Sequence, residues 1–363
     1  MKSGLATLLL LALLSPGAPA LADRKAPRAE PGPPLLLGST RKGVVTRRAM
    51  AIGYWDAPQK ITGEVDGKAM TAPVLVYLPA GYDAAATRKP PLVIALHGWN
   101  HTPEQVRDKA DLEILADRYG LVIAVPAMGK TIYETSFFAE TKQPWAAIPG
   151  ARWVGEVVLP QLRARYAVAG DRAHTAVIGY AMGGRGAVLL AQRYPEFAFA
   201  GSLSGTFDLL ALAPRDAEYK LHAAVYGSRR KFEQRWAQEG CVAPERLAKL
   251  ADTALFLGHG GEDAVVAPAQ LDALTQALTE ARTEARTEDS GKPKGKVASK
   301  SRRPRPSVEV VLAPDGGHDW GYWNSQWPAM FQALTRSLSA AEPEAPRSGD
   351  NAAMAPSPRD PRK

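Results

Sequence analysis

The residues whose spacing points most directly to chemistry lie in a glycine-bearing turn between two apolar runs. The first run ends at Ile178, and the second spans Ala187 to Leu190. Gly179 and Gly183 have the G-x-S-x-G spacing of a nucleophile elbow, a sharp strand-to-helix turn that exposes an attacking serine. The serine position is occupied by Ala181. The sequence therefore predicts a turn built for covalent catalysis that lacks the attacking group.

An acid and a histidine follow later strand-like runs, in the order elbow, acid, histidine. Asp263 follows the apolar run 253–257, and His318 follows the last apolar run, 308–312. In a catalytic triad the carboxylate orients the imidazole, and the imidazole moves the proton. Side chains at the carboxyl ends of parallel strands meet at one edge of a sheet. We therefore expect Ala181, Asp263 and His318 to share a site. Glu262 is an alternative acid, and structural turn roles for Asp263 and His318 stay open.

An anion-binding loop is expected after the buried run 91–96, where His97 and Gly98 follow. Backbone N–H groups near an elbow stabilise the oxyanion of acyl transfer. The expected oxyanion hole comprises Gly98 and the N–H groups of Trp99 and Met182. Ser202 and Ser204 are on the next strand, and replacing the nucleophile from there would need a displacement of several Å. Catalysis fails over roughly 1 Å of misplacement.

Length, composition and the first residues indicate one exported globular domain. The chain has 363 residues, 45% of them hydrophobic, which suits one large α/β domain. Residues 1–22 combine a basic start, an apolar centre and a small-residue cleavage pattern, and they predict a secretory signal. The expected location is secreted or periplasmic. Cys241 is the only cysteine, which excludes an internal disulfide and favours a buried thiol over a catalytic one.

Positive charge is concentrated in one segment. The net charge is +8, but Gly291 to Pro306 contains seven Lys and Arg and no acid, so the rest of the chain is nearly neutral. A single basic loop does not form the basic face that nucleic-acid binding needs, and we expect no nucleic-acid partner. The expected state of the loop is solvated; contact with an anionic envelope surface is the alternative.

Short apolar runs alternate with helical patterns along the chain, which predicts a mostly parallel central sheet with helices on both faces. We expect a linker at 23–43, a folded domain at 44–340, a disordered charged insertion at 281–306 and a disordered tail at 341–363. Strands are expected at 44–54, 73–78, 91–96, 121–125, 197–203, 253–257 and 308–312, besides the elbow strand. Helices are expected at 102–117, 151–166, 182–194, 268–279 and 324–338, with a loop at 128–149 and a small lid within 204–249.

The chain resembles the Putative esterase family of α/β-hydrolases, which includes esterase D (S-formylglutathione hydrolase) and secreted mycolyltransferase-type proteins. The resemblance covers about residues 70 to 340 without the charged insertion. The residues that carry it are Val76 to Pro79, Leu96 to Gly98, Ile178 to Ala187, Gly201 to Gly205, Gly261 to Asp263 and Gly317 to Trp323. It implies an α/β-hydrolase fold and an esterase-type site, and we expect no cofactor and no metal.

Family members carry serine where this chain has Ala181, so the resemblance does not by itself imply esterase activity. One interpretation is a pseudo-hydrolase that binds an ester, acyl or glycan ligand without turnover. Another is an active ester hydrolase or acyltransferase that uses His318 and Asp263 with another nucleophile or water. A third is an envelope-interaction protein that works through the basic loop. The tryptophans at 320, 323 and 327 are expected to pack under the last helix, with a sugar platform as the alternative.

Overall fold

A nine-stranded mixed sheet forms the centre of the structure, a computed structural model that describes residues 52–142, 148–290 and 306–340. These residues belong to one compact unit, Met50–Lys363. The strands are β1 (Tyr54–Trp55), β2 (Gln59–Val65), β3 (Lys68–Leu78), β4 (Leu92–Leu96), β5 (Val122–Pro126), β6 (Thr175–Tyr180), β7 (Phe199–Leu203), β8 (Ala254–Gly260) and β9 (Val308–Ala313).

The sheet is parallel from β5 to β9. Its order is β1-β3-β5-β4-β6-β7-β8-β9, and β2 pairs with β3. The pairs β1–β3, β2–β3 and β3–β5 are antiparallel, and all later pairs are parallel. The predicted mostly parallel sheet is therefore confirmed. The carboxyl ends of β4, β6, β7, β8 and β9 all lie at one edge of the sheet. The segments predicted to carry the site residues follow β4, β6, β8 and β9, so they begin at this edge.

Helices cover both faces of the sheet. They are α1 (Pro103–Lys109), α2 (Leu112–Tyr119), α3 (Gly150–Arg152), α4 (Leu159–Arg165), α5 (Met182–Arg193), α6 (Ala217–Tyr226), α7 (Glu233–Glu239), α8 (Pro244–Leu247), α9 (Ala269–Ser290) and α10 (Trp320–Ala340). One hydrophobic core contains side chains of α4, α5 and α9, and the other contains side chains of α1, α2 and α10. Along β4 the side chains alternate between the two cores, so this strand is apolar throughout.

The N-terminal antiparallel part differs from the prediction of a strand at 44–54. Within that range and the described part of the chain, only Tyr54 lies in a strand. The additional hairpin β2–β3 turns at Asp66 and Gly67, which have φ values of 51° and 74°. Positive φ at both residues is the geometry that Asp-Gly favours in a two-residue hairpin. The sequence signal for this hairpin is the Asp66-Gly67 dipeptide between two runs of alternating apolar and polar residues, and the prediction did not use it.

Several helix boundaries also differ. The helix predicted at 102–117 is divided into α1 and α2 at Ala110 and Asp111, although Thr102 caps α1 as predicted, in a capping box with Gln105. Pro160 does not interrupt the predicted helix 151–166, because a π-helical segment at Trp153–Val158 precedes it and places it in the first turn of α4.

The helix predicted at 268–279 is longer than expected. Helix α9 continues to Ser290, past the predicted start of the insertion at 281. The region 204–249 contains the short helices α6, α7 and α8. Residues 1–22, 23–43, most of the basic loop and the tail 341–363 lie outside the described residues. Among the residues described, no helix has the length and apolar character needed to cross a membrane.

Candidate active site

The elbow is formed as predicted between β6 and α5. Ala181 has φ 53° and ψ −125°, a backbone conformation that costs a non-glycine residue about 1–3 kcal/mol. Its N–H donates to the Leu203 carbonyl at 2.8 Å, and its carbonyl accepts from the Gly184 N–H at 2.9 Å. Hydrogen bonds on both sides of the residue therefore hold the strained turn, and they do not depend on the side chain.

The two flanking glycines are required by packing. A Cβ at Gly183 would lie well inside van der Waals contact with the Leu96 carbonyl oxygen, and a Cβ at Gly179 would overlap the Gly183 carbonyl. The elbow thus crosses directly over the end of β4. This close crossing is the physical reason for the spacing that the sequence showed.

Asp263 and His318 are paired at the same edge of the sheet. His318 Nδ1 lies 2.7 Å from Asp263 Oδ2. The other oxygen, Oδ1, accepts the N–H groups of Val265 at 2.9 Å and Val266 at 2.8 Å. Burial alone would raise the pKa of Asp263, but hydrogen bonds from His259, His318 and the Val266 N–H outweigh it and hold this pKa well below its usual range. The carboxylate is therefore ionised and suited to orient the imidazole.

His259, which was not among the site residues predicted from the sequence, is a second imidazole beside this carboxylate. Its Nε2 donates to the Val266 carbonyl at 3.0 Å and lies 3.4 Å from Asp263 Oδ2. The side chain is fully buried in β8, and its Nδ1 has no hydrogen-bond partner in the described part of the chain. The available signal was a histidine inside an apolar strand four residues before the predicted acid. Glu262, the alternative acid, is exposed.

The loop after β4 touches the elbow. A Cβ built on Gly98 would lie 3.2 Å from the Ala181 methyl carbon. The His97 Nδ1–H donates to the Gly98 carbonyl at 2.8 Å, and its Nε2 accepts the Met128 N–H at 2.9 Å. Burial lowers the pKa of His97 to about 4, in keeping with this neutral form. The structure thus places Gly98 beside Ala181, with Trp99 next in the chain. The oxyanion role stays a prediction.

Met182, the third predicted contributor to the oxyanion hole, is the first residue of α5. The first N–H groups of a helix have no acceptor within the helix, and they carry the positive end of its dipole. Its position directly after the elbow suits the predicted contribution. That role also stays a prediction.

Aromatic side chains connect the elbow with the imidazole. Tyr180 packs against Trp323 with ring centroids 4.5 Å apart and against Trp320 at 4.8 Å. Trp323 also contacts the His318 ring edge-to-face at 5.2 Å. The Tyr180 hydroxyl lies 2.8 Å from Nδ1 of His101. The indole ring of Trp323 therefore contacts both His318 and Tyr180, the residue before Ala181.

The serines on β7 and the adjoining turn are not placed to attack a ligand. Ser204 Oγ accepts the Trp323 indole N–H at 3.2 Å, and both Ser202 and Ser204 are buried. Ser202 Oγ lies 2.7 Å from where a Cβ on Gly184 would stand, inside the packing of the elbow helix. Both hydroxyls are therefore enclosed by protein.

A buried polar network underlies the elbow helix. The Arg185 guanidinium donates to the Tyr226 hydroxyl at 3.0 Å and to the Glu239 carbonyl at 2.8 Å. Glu218 accepts a hydrogen bond from the Thr206 hydroxyl. Burial raises the pKa of Glu218 to about 8, with Arg185 opposing this rise and Asp263 adding to it. Cys241 is buried, as predicted, and burial raises its thiol pKa to about 11.

A family comparison agrees with this geometry. The sequence profile of the family described as "Putative esterase" matches residues 69–334, which is most of the chain. The chain belongs to this esterase family. In a sequence comparison with curated proteins, none matches significantly.

Solved structures share the fold of this esterase-family chain at low sequence identity. A ferulic acid esterase is 21% identical with a TM-score of 0.57, covering 79% of this chain and 99% of its own. An S-formylglutathione hydrolase from Agrobacterium tumefaciens is 15% identical with a TM-score of 0.55, covering 80% and 99%. MPT51 from Mycobacterium tuberculosis is 17% identical with a TM-score of 0.52, covering 78% and 99%. The fold is therefore that of the α/β-hydrolases. Among the described residues, no group of three His, Cys, Asp or Glu side chains could hold a metal ion.

Proposed function

We propose that the protein is a secreted pseudo-hydrolase that binds an ester, acyl or glycan ligand without turning it over. One observation carries the proposal: the strained elbow backbone and the Asp263–His318 hydrogen bond are both present in a chain whose elbow residue is Ala181. The strained conformation at Ala181 is maintained although no nucleophile benefits from it. A site kept in this form has a use that does not need a covalent intermediate.

The chemistry that remains favours binding over turnover. Removing an active-site serine from a serine hydrolase lowers turnover by about six orders of magnitude. The predicted N–H groups of Trp99 and Met182 would still donate hydrogen bonds to a carbonyl oxygen, and His318 would still offer Nε2 to the ligand. These interactions need no bond to the protein.

An acyl ligand is favoured over a glycan. Two of the structurally similar proteins are a ferulic acid esterase and an S-formylglutathione hydrolase, names that refer to acyl compounds. Trp323 and Trp327 are buried and Trp320 is only half-buried, so the three do not form an open stacking surface for a sugar. Export is supported by the signal-like pattern of residues 1–22. The basic residues between 291 and 306 would add contact with an anionic envelope surface.

An active hydrolase is the second candidate, and the intact Asp263–His318 hydrogen bond favours it. His318 could activate a water molecule as a general base and return the proton to the leaving group. Ser202 and Ser204 are enclosed by protein, so water is the nucleophile in this alternative.

The two candidates separate in one assay. The natural chain and His318→Ala are assayed with p-nitrophenyl acetate and butyrate, and ligand binding is measured by calorimetry with the matching ethyl esters and acids. The pseudo-hydrolase predicts equal background turnover in both proteins together with ligand binding by the natural chain. Turnover that falls in His318→Ala supports the hydrolase instead. Absence of both turnover and binding contradicts both candidates.

A further inference from the structure

A cavity of about 420 Å³ lies at the edge of the sheet opposite to the candidate active site. Pro91 precedes β4, Leu121 precedes β5 and His174 precedes β6, and all three residues line the cavity. The candidate active site follows the carboxyl ends of β4 and β6, so the length of β4 separates the two, about 16 Å at roughly 3.3 Å per residue. Small-molecule sites have volumes of roughly 300–1,000 Å³. The cavity is therefore large enough for a small ligand.

One wall of the cavity is a turn after β3 that hydrogen bonds hold in place. The Tyr82 N–H donates to the Pro79 carbonyl at 2.9 Å, and the Ala80 N–H donates to Asp117 Oδ1 at 2.8 Å. The Tyr82 hydroxyl accepts the Ala167 N–H at 2.8 Å. These bonds anchor the turn to two other parts of the chain. The cavity is therefore formed before a ligand enters, which lowers the entropic cost of binding.

Positive charge exceeds negative charge around the cavity. Arg88 and Lys89 line it, and among the described lining residues Asp83 is the one acid. Asp83 Oδ1 accepts the Ala85 N–H at 2.8 Å, so this carboxylate is engaged within its own turn. Lys89 donates one ammonium N–H to the Ala84 carbonyl at 2.8 Å, and an ammonium has three. The two neighbouring cations therefore favour an anionic ligand over a cationic one.

Apolar surface adjoins these charges. Leu121 and Leu338 line the cavity with buried side chains, and Pro90 lines it with a half-buried one. The Tyr119 ring, also half-buried, stacks on Phe331 with ring centroids 6.5 Å apart. A ligand that suits both kinds of surface has a charged end and an apolar body.

The anion that suits these groups best is a carboxylate. The planar guanidinium of Arg88 matches a carboxylate in a bidentate pair. Arg88, Lys89 and Asp83 together leave one positive charge in excess, which the single charge of a carboxylate balances. We propose that this cavity is a carboxylate-binding site, with the charged end of the ligand at Arg88 and Lys89 and its apolar part against Leu338 and Tyr119. The site is separate from the candidate active site, so the inference goes beyond the proposed function.

Two sources can supply such a carboxylate. One is a small organic acid from solution. The other is the chain itself, because Glu342 and Glu344 follow the cavity residue Leu338 by four and six positions. A chain spans up to about 3.5 Å per residue, so a reach of roughly 14–21 Å from Leu338 allows either glutamate to enter the cavity. The chemistry of the site is the same for both sources, and the experiment separates them.

Calorimetry with matched ligands tests the proposal. The probes are benzoate and hexanoate, each compared with its uncharged amide, and each protein is first checked for folding by circular dichroism. The proteins are the natural chain and a double variant, Glu342→Gln with Glu344→Gln. Each of the two is also prepared with Arg88→Gln, with Lys89→Gln or with the control Arg230→Gln. Arg230 is an exposed arginine between α6 and α7, and it does not line the cavity.

The two sources predict different results. If the ligand is a small acid, the natural chain binds at least one carboxylate about tenfold or more tightly than its amide, because hydrogen bonds to charged groups are the stronger type. If the ligand is the chain's own carboxylate, this preference appears only in the double variant, which lacks the competing glutamates. In the protein that binds, Arg88→Gln and Lys89→Gln should each lower the carboxylate affinity about three- to tenfold, and Arg230→Gln should leave it unchanged.

Two results overturn the inference. One is that neither the natural chain nor the double variant prefers a carboxylate to its amide. The other is a carboxylate preference that Arg88→Gln and Lys89→Gln both leave unchanged, because the ligand then binds elsewhere in the protein.

Discussion

His318 and Asp263 are hydrogen-bonded at 2.7 Å in a chain whose elbow residue has no hydroxyl group. The orientation of this pair is built locally, because the N–H groups of Val265 and Val266 hold one carboxylate oxygen and His259 approaches the other. None of these recorded contacts involves residue 181. The hydrogen-bonded arrangement of Asp263 and His318 therefore does not depend on a serine oxygen at position 181.

Restoring the serine is expected to create activity. Ala181→Ser should hydrolyse p-nitrophenyl acetate at least about three orders of magnitude faster than the natural chain, since loss of a catalytic serine typically costs about six orders. The measurement is initial rate against substrate concentration. Ala181→Ser combined with His318→Ala is the control, and it should return to the background rate. A folded Ala181→Ser protein without any gain would contradict the predicted site.

Gly183→Ala is expected to destabilise the fold by about 3 kcal/mol or more, because the new methyl would overlap the Leu96 carbonyl. Alanine otherwise favours a helix by about 1 kcal/mol over glycine, so the effect has the opposite sign to propensity. Chemical denaturation monitored by circular dichroism measures it. Gly170→Ala is the matched control, since a Cβ there meets no atom within 4 Å. Equal stability of the two variants would rule out the close crossing at the elbow.

Asp263→Asn is expected to remove an acid-dependent part of the stability. The pKa of Asp263 is lower in the folded state than the unfolded value of about 3.9. The carboxylate therefore stabilises the fold above pH 4, and this contribution is lost as the pH falls below 4 toward the folded-state pKa. Denaturation midpoints of natural and variant protein should differ most at pH 5–7 and converge at lower pH. A difference that stays constant with pH would argue against an ionised Asp263.

Glu218→Gln is expected to change the opposite side of the pH profile. Burial raises the folded-state pKa of Glu218 to about 8. Between about pH 4.5 and 8 the folded protein therefore keeps a proton on this carboxyl group that the unfolded chain has lost. Stability linked to this group is complete below pH 4.5 and falls by up to about 1.4 kcal/mol per pH unit until the pH passes 8. The glutamine variant should lack this decline. Guanidine denaturation at pH 5, 6, 7 and 8 gives the comparison, and parallel profiles would contradict the prediction.

The elbow, the acid and the histidine could be predicted because each has a local signature. Gly179 and Gly183 mark the elbow between two apolar runs, and Asp263 and His318 each follow a strand-like segment. The parallel sheet then brings the ends of those segments together without further information. The structure adds to this predicted arrangement that the loop at Gly98 lies beside Ala181, where a Cβ built on Gly98 would lie 3.2 Å from the Ala181 methyl carbon.

Other parts depend on contacts that are distant in sequence. His259 and Arg185 are polar residues in otherwise apolar or small-residue segments, and their partners are known only once β8 and α5 are packed. The helix predicted at 268–279 extends to Ser290 as α9, although like charges recur every four residues in its second half. Leu271, Leu274 and Leu278 anchor its first half in the core, and the helix propagates from them to Ser290.

The residue at the elbow is a single small step away from serine. Alanine and serine codons of the GCN and UCN sets differ by a single base. One point mutation therefore separates the present elbow from an elbow that carries a serine, with no other change in the architecture.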